Sequence, residues 1–259
     1  DLLNTVENLN DEVEISLVGK YIELEDAYLS VKEALKAAGY KYKCKVKINW
    51  VDSESLEKED VDLNKVFKNS QGILVPGGFG SRGIEGKIIA CEYARKNNVP
   101  YLGICLGMQI AVIEFARHVC GLKNASSKEF NELCPEPIID LMADQKAIIN
   151  KGGTLRLGNY SCKLTPGTLA YKDYNEDIIY ERHRHRYEFN NQYRELLEKN
   201  GMVFSGINPE SNLVEIIELP SHPHFIASQF HPEFKSRPTK AHPLFSSFVK
   251  AAIDYKNKK

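Results

Sequence analysis

What most constrains the fold is a repeated pairing in which a short, continuous apolar run passes directly into a segment with helical spacing. Gly72-Ile73-Leu74-Val75 and Tyr101-Leu102-Gly103-Ile104 are short and lack polar alternation, as strands buried on both faces do. The first leads to Ile84, Ile88, Cys91 and Ala94, spaced for one side of a helix that runs to Asn97, Asn98 and Pro100. The second passes at Cys105 into Met108, Ala111, Val112, Phe115 and Val119, so strand becomes helix with almost no loop. Upstream, Val13, Ile15 and Leu17 alternate as a strand. Ala27, Tyr28, Val31, Leu35 and Ala38 then recur helically until Gly39 stops them, and Cys44, Val46, Ile48 and Trp50 alternate again. Alternating β and α elements predict an α/β fold, with a mostly parallel open sheet and helices on both faces.

The second half changes character. Residues 154–157 and 160–164 around Gly158-Asn159 read as a hairpin, and 202–207 with 213–219 as another, so antiparallel additions are expected. Residues 224–228 return to a strand, and Leu244, Phe245, Phe248, Val249 and Ala252 form a closing helix with Lys256, Lys258 and Lys259 at its end. Residues 1–11 are polar and read as a linker from a preceding domain, leaving 12–259 as one domain.

Charge narrows the function. The 34 Lys and Arg against 35 Asp and Glu give a net charge of -1, so no overall field draws the chain to nucleic acid or to an anionic membrane. No apolar stretch approaches the roughly 18 residues of a membrane span, and no secretory signal opens the sequence. The 6 cysteines form no C-x-x-C pair, which fits a reduced, cytoplasmic setting in which thiol chemistry is open.

Gly103-Ile104-Cys105-Leu106-Gly107 supplies a candidate thiol. A cysteine flanked by glycines between strand and helix is a nucleophile elbow: the glycines permit a strained turn, the helix start favours the thiolate, and the next backbone N–H can meet an oxyanion. A small buried thiol in a tight turn is the bland alternative. Phe230-His231-Pro232-Glu233 supplies a base just beyond the last strand, with Glu233 spaced to orient His231. Val75-Pro76-Gly77-Gly78-Phe79-Gly80 ends a buried strand, where ligands bind in open α/β sheets; without G-x-x-x-x-G-K-[ST] it suits an oxyanion loop better than a phosphate cradle. Arg182-His183-Arg184-His185-Arg186 makes a poor metal site because arginine charge opposes a cation. It reads either as a carboxylate-holding segment or as a solvated, ion-paired one.

With these motifs in place, residues 12 to 250 resemble the class I glutamine amidotransferase family. The resemblance is narrower still to its branch that feeds ammonia to a UTP-aminating synthetase domain. It rests on Pro76-Gly77-Gly78, on Gly103 through Gln109, and on His231-Pro232-Glu233, together with the segments 77–87, 152–158 and 182–188. It implies a flavodoxin-like sheet in which Cys105 attacks the glutamine side-chain amide while His231 and Glu233 run the proton transfers. Gly78 and Leu106 would line the oxyanion hole. Gly78, Phe79, Leu106, Gln109, Glu129 and Arg186 would bind L-glutamine, with Glu129 at the α-ammonium and Arg186 near the α-carboxylate. Arg82, Gly83 and Glu85 are implied for GTP activation. The resemblance also implies no metal or cofactor in this domain, and ATP, Mg²⁺ and GTP for the full enzyme. Its partner would be an N-terminal synthetase domain in cis within a homo-oligomer, a tetramer. Leu155 stands where the family's glycine-rich lid carries Met. Two rivals remain at this point: another cysteine hydrolase on a similar sheet, such as a γ-glutamyl hydrolase or a DJ-1-like protein, and a catalytically silent docking module.

Overall fold

A computed structural model describes residues 2–20, 25–141 and 156–258. The strands are β1 (Asp11–Gly19), β2 (Cys44–Asp52), β3 (Gly72–Val75), β4 (Tyr101–Ile104), β5 (Ala125–Ser127), β6 (Glu136–Leu141), β7 (Arg156–Leu164), β8 (Ile178–His185), β9 (Tyr187–Phe189), β10 (Val203–Ile207), β11 (Val214–Glu218) and β12 (Phe225–Ser228). The helices are α1 (Leu2–Glu7), α2 (Leu29–Lys41), α3 (Leu63–Val66), α4 (Ile84–Lys96), α5 (Leu106–His118), α6 (Leu169–Tyr174), α7 (Arg194–Lys199) and α8 (Pro243–Lys258).

The main sheet runs β2-β1-β3-β4-β12-β11-β10-β7-β8. Its first five strands are parallel, and β11, β10, β7 and β8 extend it antiparallel. Strands β5, β6 and β9 form a small second sheet. Because successive strand residues point to opposite faces, the core divides in two. On one face Ile88, Met108 and Val112 of α4 and α5 meet Ile73, Val75 and Tyr101. On the other, Leu35 of α2 and Phe245 and Phe248 of α8 meet Leu17, Leu74 and Ile104. This is the open, mostly parallel α/β sheet expected from the sequence.

Three local readings need correction. Gly39 does not stop α2, which continues to Lys41. It is a close-packing glycine, since a Cβ there would stand 2.4 Å from the Cys44 carbonyl oxygen. Residues 154–164 do not make a hairpin about Gly158-Asn159. Residues 154 and 155 lie outside the described residues, and Arg156–Leu164 is one strand through Gly158, paired with β8 and β10. The cationic segment 181–188 is mostly sheet, and β8 alternates outward, exposed Arg182 and Arg184 with buried Glu181, His183 and His185. Within the polar stretch 1–11, residues Leu2–Glu7 are helical and β1 starts at Asp11.

Candidate active site

The site is built where neighbouring parallel strands β4 and β12 end. Cys105 follows β4 with φ 52 and ψ -102, a backbone state that costs a non-glycine residue on the order of 1–3 kcal/mol. Surrounding bonds hold it there. Its N–H donates to the Ser228 carbonyl at 2.7 Å, and its carbonyl accepts from Met108 and Gln109 at 3.0 and 3.2 Å. The flanking glycines are required by close approach: a Cβ on Gly103 would stand 2.6 Å from the Gly107 oxygen, and one on Gly107 would stand 2.0 Å from the Val75 oxygen. The Leu106 N–H is the first of α5 and has no intrahelical acceptor, so it is available beside the thiol.

His231 follows β12. Its N–H donates to the Arg182 carbonyl at 2.8 Å, and its ring stacks on Phe234 at 4.8 Å between centroids. Nδ1 bonds Glu233 Oε1 at 2.7 Å, so Nε2 is the ring nitrogen left to interact with the Cys105 sulfur. Burial alone would push the ring's pKa down. The charge of the Cys105 sulfur, a hydrogen-bonding interaction with it, and Glu233 outweigh burial and raise the pKa to about 10. Gly77 makes room for this ring, because a Cβ there would lie 2.8 Å from His231 Cε1.

Cys105 stands between two cavities. One, of about 360 Å³, is lined by Gly78, Phe79, Leu106, Gln109, Glu129, Arg184, His185, Arg186 and Tyr187 as well as Cys105. It therefore gathers every residue expected to bind glutamine. The other, of about 400 Å³, contains His231, Glu233, Pro76, Gly77, Lys20, Tyr28 and Lys87. Phe79 and Arg184 belong to both, with the guanidinium 5.9 Å from the ring centroid. Glu129 accepts from the Gly80 N–H at 3.2 Å. Burial raises its pKa, against the opposing pull of that bond, Lys20 and Arg186.

Arg82, Gly83 and Glu85 lie elsewhere. Arg82 forms a two-point pair with Glu54 at 2.7 and 2.8 Å, and Glu85 pairs with Arg117 at 2.8 Å. Gly83 has φ 67 and sits against Ser53. None of the three lines either cavity. Of segment 152–158, residues 152–155, including Leu155, fall outside the described residues. Among the described residues Glu92, Glu114 and His118 bring potential ligand atoms within 4.8 Å of one another, but Arg95 already neutralises Glu114 at 2.7 and 2.9 Å.

Sequence reading missed Gln229, whose Nε2 lies 3.7 Å from Cys105 Sγ. No sequence signal marked it, because the full burial of this amide directly before Phe230-His231 is visible only in the fold. It also missed Lys20 and named Arg184 only within the cationic run; both line the cavity walls.

This elbow on this sheet defines a class. The chain belongs to the class I glutamine amidotransferases, and the family's profile, Glutamine amidotransferase class-I, matches residues 23–251. Within that class its likeness is to the glutaminase portion of CTP synthase. CTP synthase of Caldanaerobacter subterraneus subsp. tengcongensis is 61% identical over 249 residues, covering 96% of this chain and 46% of that protein. The Bacillus subtilis CTP synthase is 54% identical over 259 residues, covering 100% and 48%. The chain thus spans about half the length of the curated relatives it matches. The solved glutaminase domain of Trypanosoma brucei CTPS with bound acivicin superposes with a TM-score of 0.88 at 40% identity, covering 93% of this chain and 94% of that one. A Thermotoga maritima glutamine amidotransferase, at TM-score 0.52 and 13% identity, shares the fold.

Proposed function

We propose that this chain hydrolyses the side-chain amide of glutamine at Cys105 and passes the ammonia to the synthetase portion of a CTP synthase. One observation carries the reading: a strained Cys105 and a Glu233-oriented His231 face the same space, beside a cavity lined by Gln109, Glu129 and Arg186. Glu233 holds Nδ1, so Nε2 takes the thiol proton. The thiolate adds to the amide carbon, and the N–H groups of Gly78 and Leu106 meet the developing oxyanion. His231 returns its proton to the leaving nitrogen, releasing ammonia and leaving a glutamyl thioester. Water, deprotonated by His231, then cleaves the thioester to glutamate and restores the thiol. Gln109 spends both Nε2 hydrogens on Tyr187 O and Gln229 Oε1, so its Oε1 is the atom that can accept from substrate.

The likeness to CTP synthases supports a synthetase portion in cis, and we further propose that this portion aminates UTP with ATP and Mg²⁺, in a cytoplasmic homotetramer. ATP and Mg²⁺ would act in that portion. GTP acting through Arg82, Gly83 and Glu85 would do so by shifting the Arg82–Glu54 and Glu85–Arg117 ion pairs and the Gly83 turn between them. Among the described residues no helix is long and apolar enough to cross a membrane.

The deciding experiment exposes the chain to a reactive glutamine analogue and maps adducts by mass spectrometry. The expected result is one adduct on Cys105, blocked by glutamine, with glutaminase turnover lost in Cys105→Ala and kept in Cys44→Ala, Cys91→Ala and Cys120→Ala. No adduct and no turnover would favour the silent docking module.

A further inference from the structure

A buried amide relay ends on the nucleophile, and its direction can be read from its far end. Gln109 Nε2 lies 3.2 Å from the main-chain carbonyl oxygen of Tyr187, an atom that only accepts. That contact fixes which end of the Gln109 amide is nitrogen. The same Nε2 lies 3.3 Å from the Gln229 amide, so the Gln229 atom facing it must be the oxygen. Gln229 must then turn its own Nε2 to Cys105 Sγ, 3.7 Å away. The order of donors follows from one carbonyl, without any choice of amide orientation at Gln229 itself.

The geometry points to Gln229 as a further catalytic residue of the glutaminase, a hydrogen-bond donor to the Cys105 sulfur whose orientation is set by Gln109 and the Tyr187 carbonyl. The inference rests on the proposed Cys105 chemistry and adds to it. A donor aimed at sulfur favours the charged thiolate over the thiol and holds Sγ in one direction, whereas a carboxylate of the same shape would repel it. Gln229 is fully buried, and its N–H donates to the Glu215 carbonyl at 2.8 Å, so its main chain is fixed as well. The neighbouring Ser228 carbonyl holds the Cys105 N–H, so the end of β12 grips both the backbone and the side chain of the elbow. Gln109 lines the cavity with Glu129 and Arg186, which makes the relay a direct link between the recognition wall and the nucleophile. The charged or titratable side chains lining the two cavities around the sulfur are His231, Glu233, Lys20, Lys87, Arg184, His185, Arg186, Tyr28, Glu129 and Tyr187, and none is changed by substitution at 229.

The test is the pH–rate profile for alkylation of Cys105 by iodoacetamide in wild type, Gln229→Met and Gln229→Glu, each checked for folding by thermal melting. The Met variant keeps bulk and removes the donor; the Glu variant keeps shape and puts a negative charge where the donor stood. Both profiles are expected to move to higher pH, Glu further than Met, with alkylation at neutral pH slowed about tenfold or more. In glutaminase assays kcat should fall more than KM rises. Folded variants with an unshifted profile would overturn the assignment, and so would an unfolded Gln229→Met, which would make the residue a packing element. Protection of wild-type Cys105 by glutamine reads the underlying function separately, so failure there is distinguishable from failure at Gln229.

Discussion

At the residue scale the sharpest quantity is the His231 pKa, held at about 10 by the Cys105 sulfur and Glu233 against burial. A folded value above the ordinary 6.5 contributes stability that is complete below pH 6.5 and is lost as pH rises through about 10. Removing the sulfur in Cys105→Ala should bring the His231 midpoint down, and NMR titration of the imidazole reads this directly; an unmoved midpoint would mean the two groups do not interact. Substrate recognition is tested beside it. Glu129→Ala and Arg186→Ala should each raise KM for glutamine, by the tenfold or more that losing a charged hydrogen bond of about 1.5 to 3 kcal/mol gives, while iodoacetamide still labels Cys105. Equal KM values in both variants would take them out of the binding wall. That Cys105, His231 and Glu233 share one cavity was legible in the sequence, because each sits in a short motif whose spacing suits the role proposed for it. Gln229 was not, because its partner Gln109 lies in a different segment and only the folded sheet brings them together.

The same contrast holds for whole elements. Strands β3, β4 and β12 were legible because burial on both faces leaves continuous apolar runs. Strand β8 was not, since its inward side chains from Glu181 to His185 are as polar as its outward arginines. It is held by a buried ionic network: Arg156 of β7 bonds Glu215 of β11 at 2.5 Å and Glu188 at 3.4 Å, and His183 Nδ1 and His185 Nε2 are 2.8 Å apart. Burial raises the Glu215 and Glu188 pKa values against the opposing pull of Arg156, and burial lowers that of His185 to about 3. Arg156→Met leaves two buried carboxylates without their cation and should cost about 3 to 5 kcal/mol in urea unfolding. The loss should be larger at pH 8 than at pH 5, where the carboxyls can protonate instead; a loss equal at both pH values would show that packing, not charge, dominates.

For the whole molecule, the chain spans about half the length of its relatives, and the proposed coupling to a synthetase portion can be tested on these residues by themselves. A reactive glutamine analogue should label this chain at Cys105, and with ATP, Mg²⁺, UTP and glutamine the chain should hydrolyse glutamine slowly and form no CTP; joined to a synthetase portion it should form CTP and respond to GTP. Full, GTP-independent turnover by the chain alone would make it an autonomous amidohydrolase. The register of β4 with β12 carries a broader consequence. Ala227 pairs with Gly103 and Ser228 with Ile104, so thiol and imidazole follow adjoining strands although residues 105–224 separate those strands in the chain. That long excursion leaves the central pair and returns beside its starting point. Its antiparallel strands and small second sheet can therefore lengthen, shorten or be rebuilt in the course of divergence, and the reacting groups would still meet, as a hinge keeps its two leaves together whatever is hung on the door.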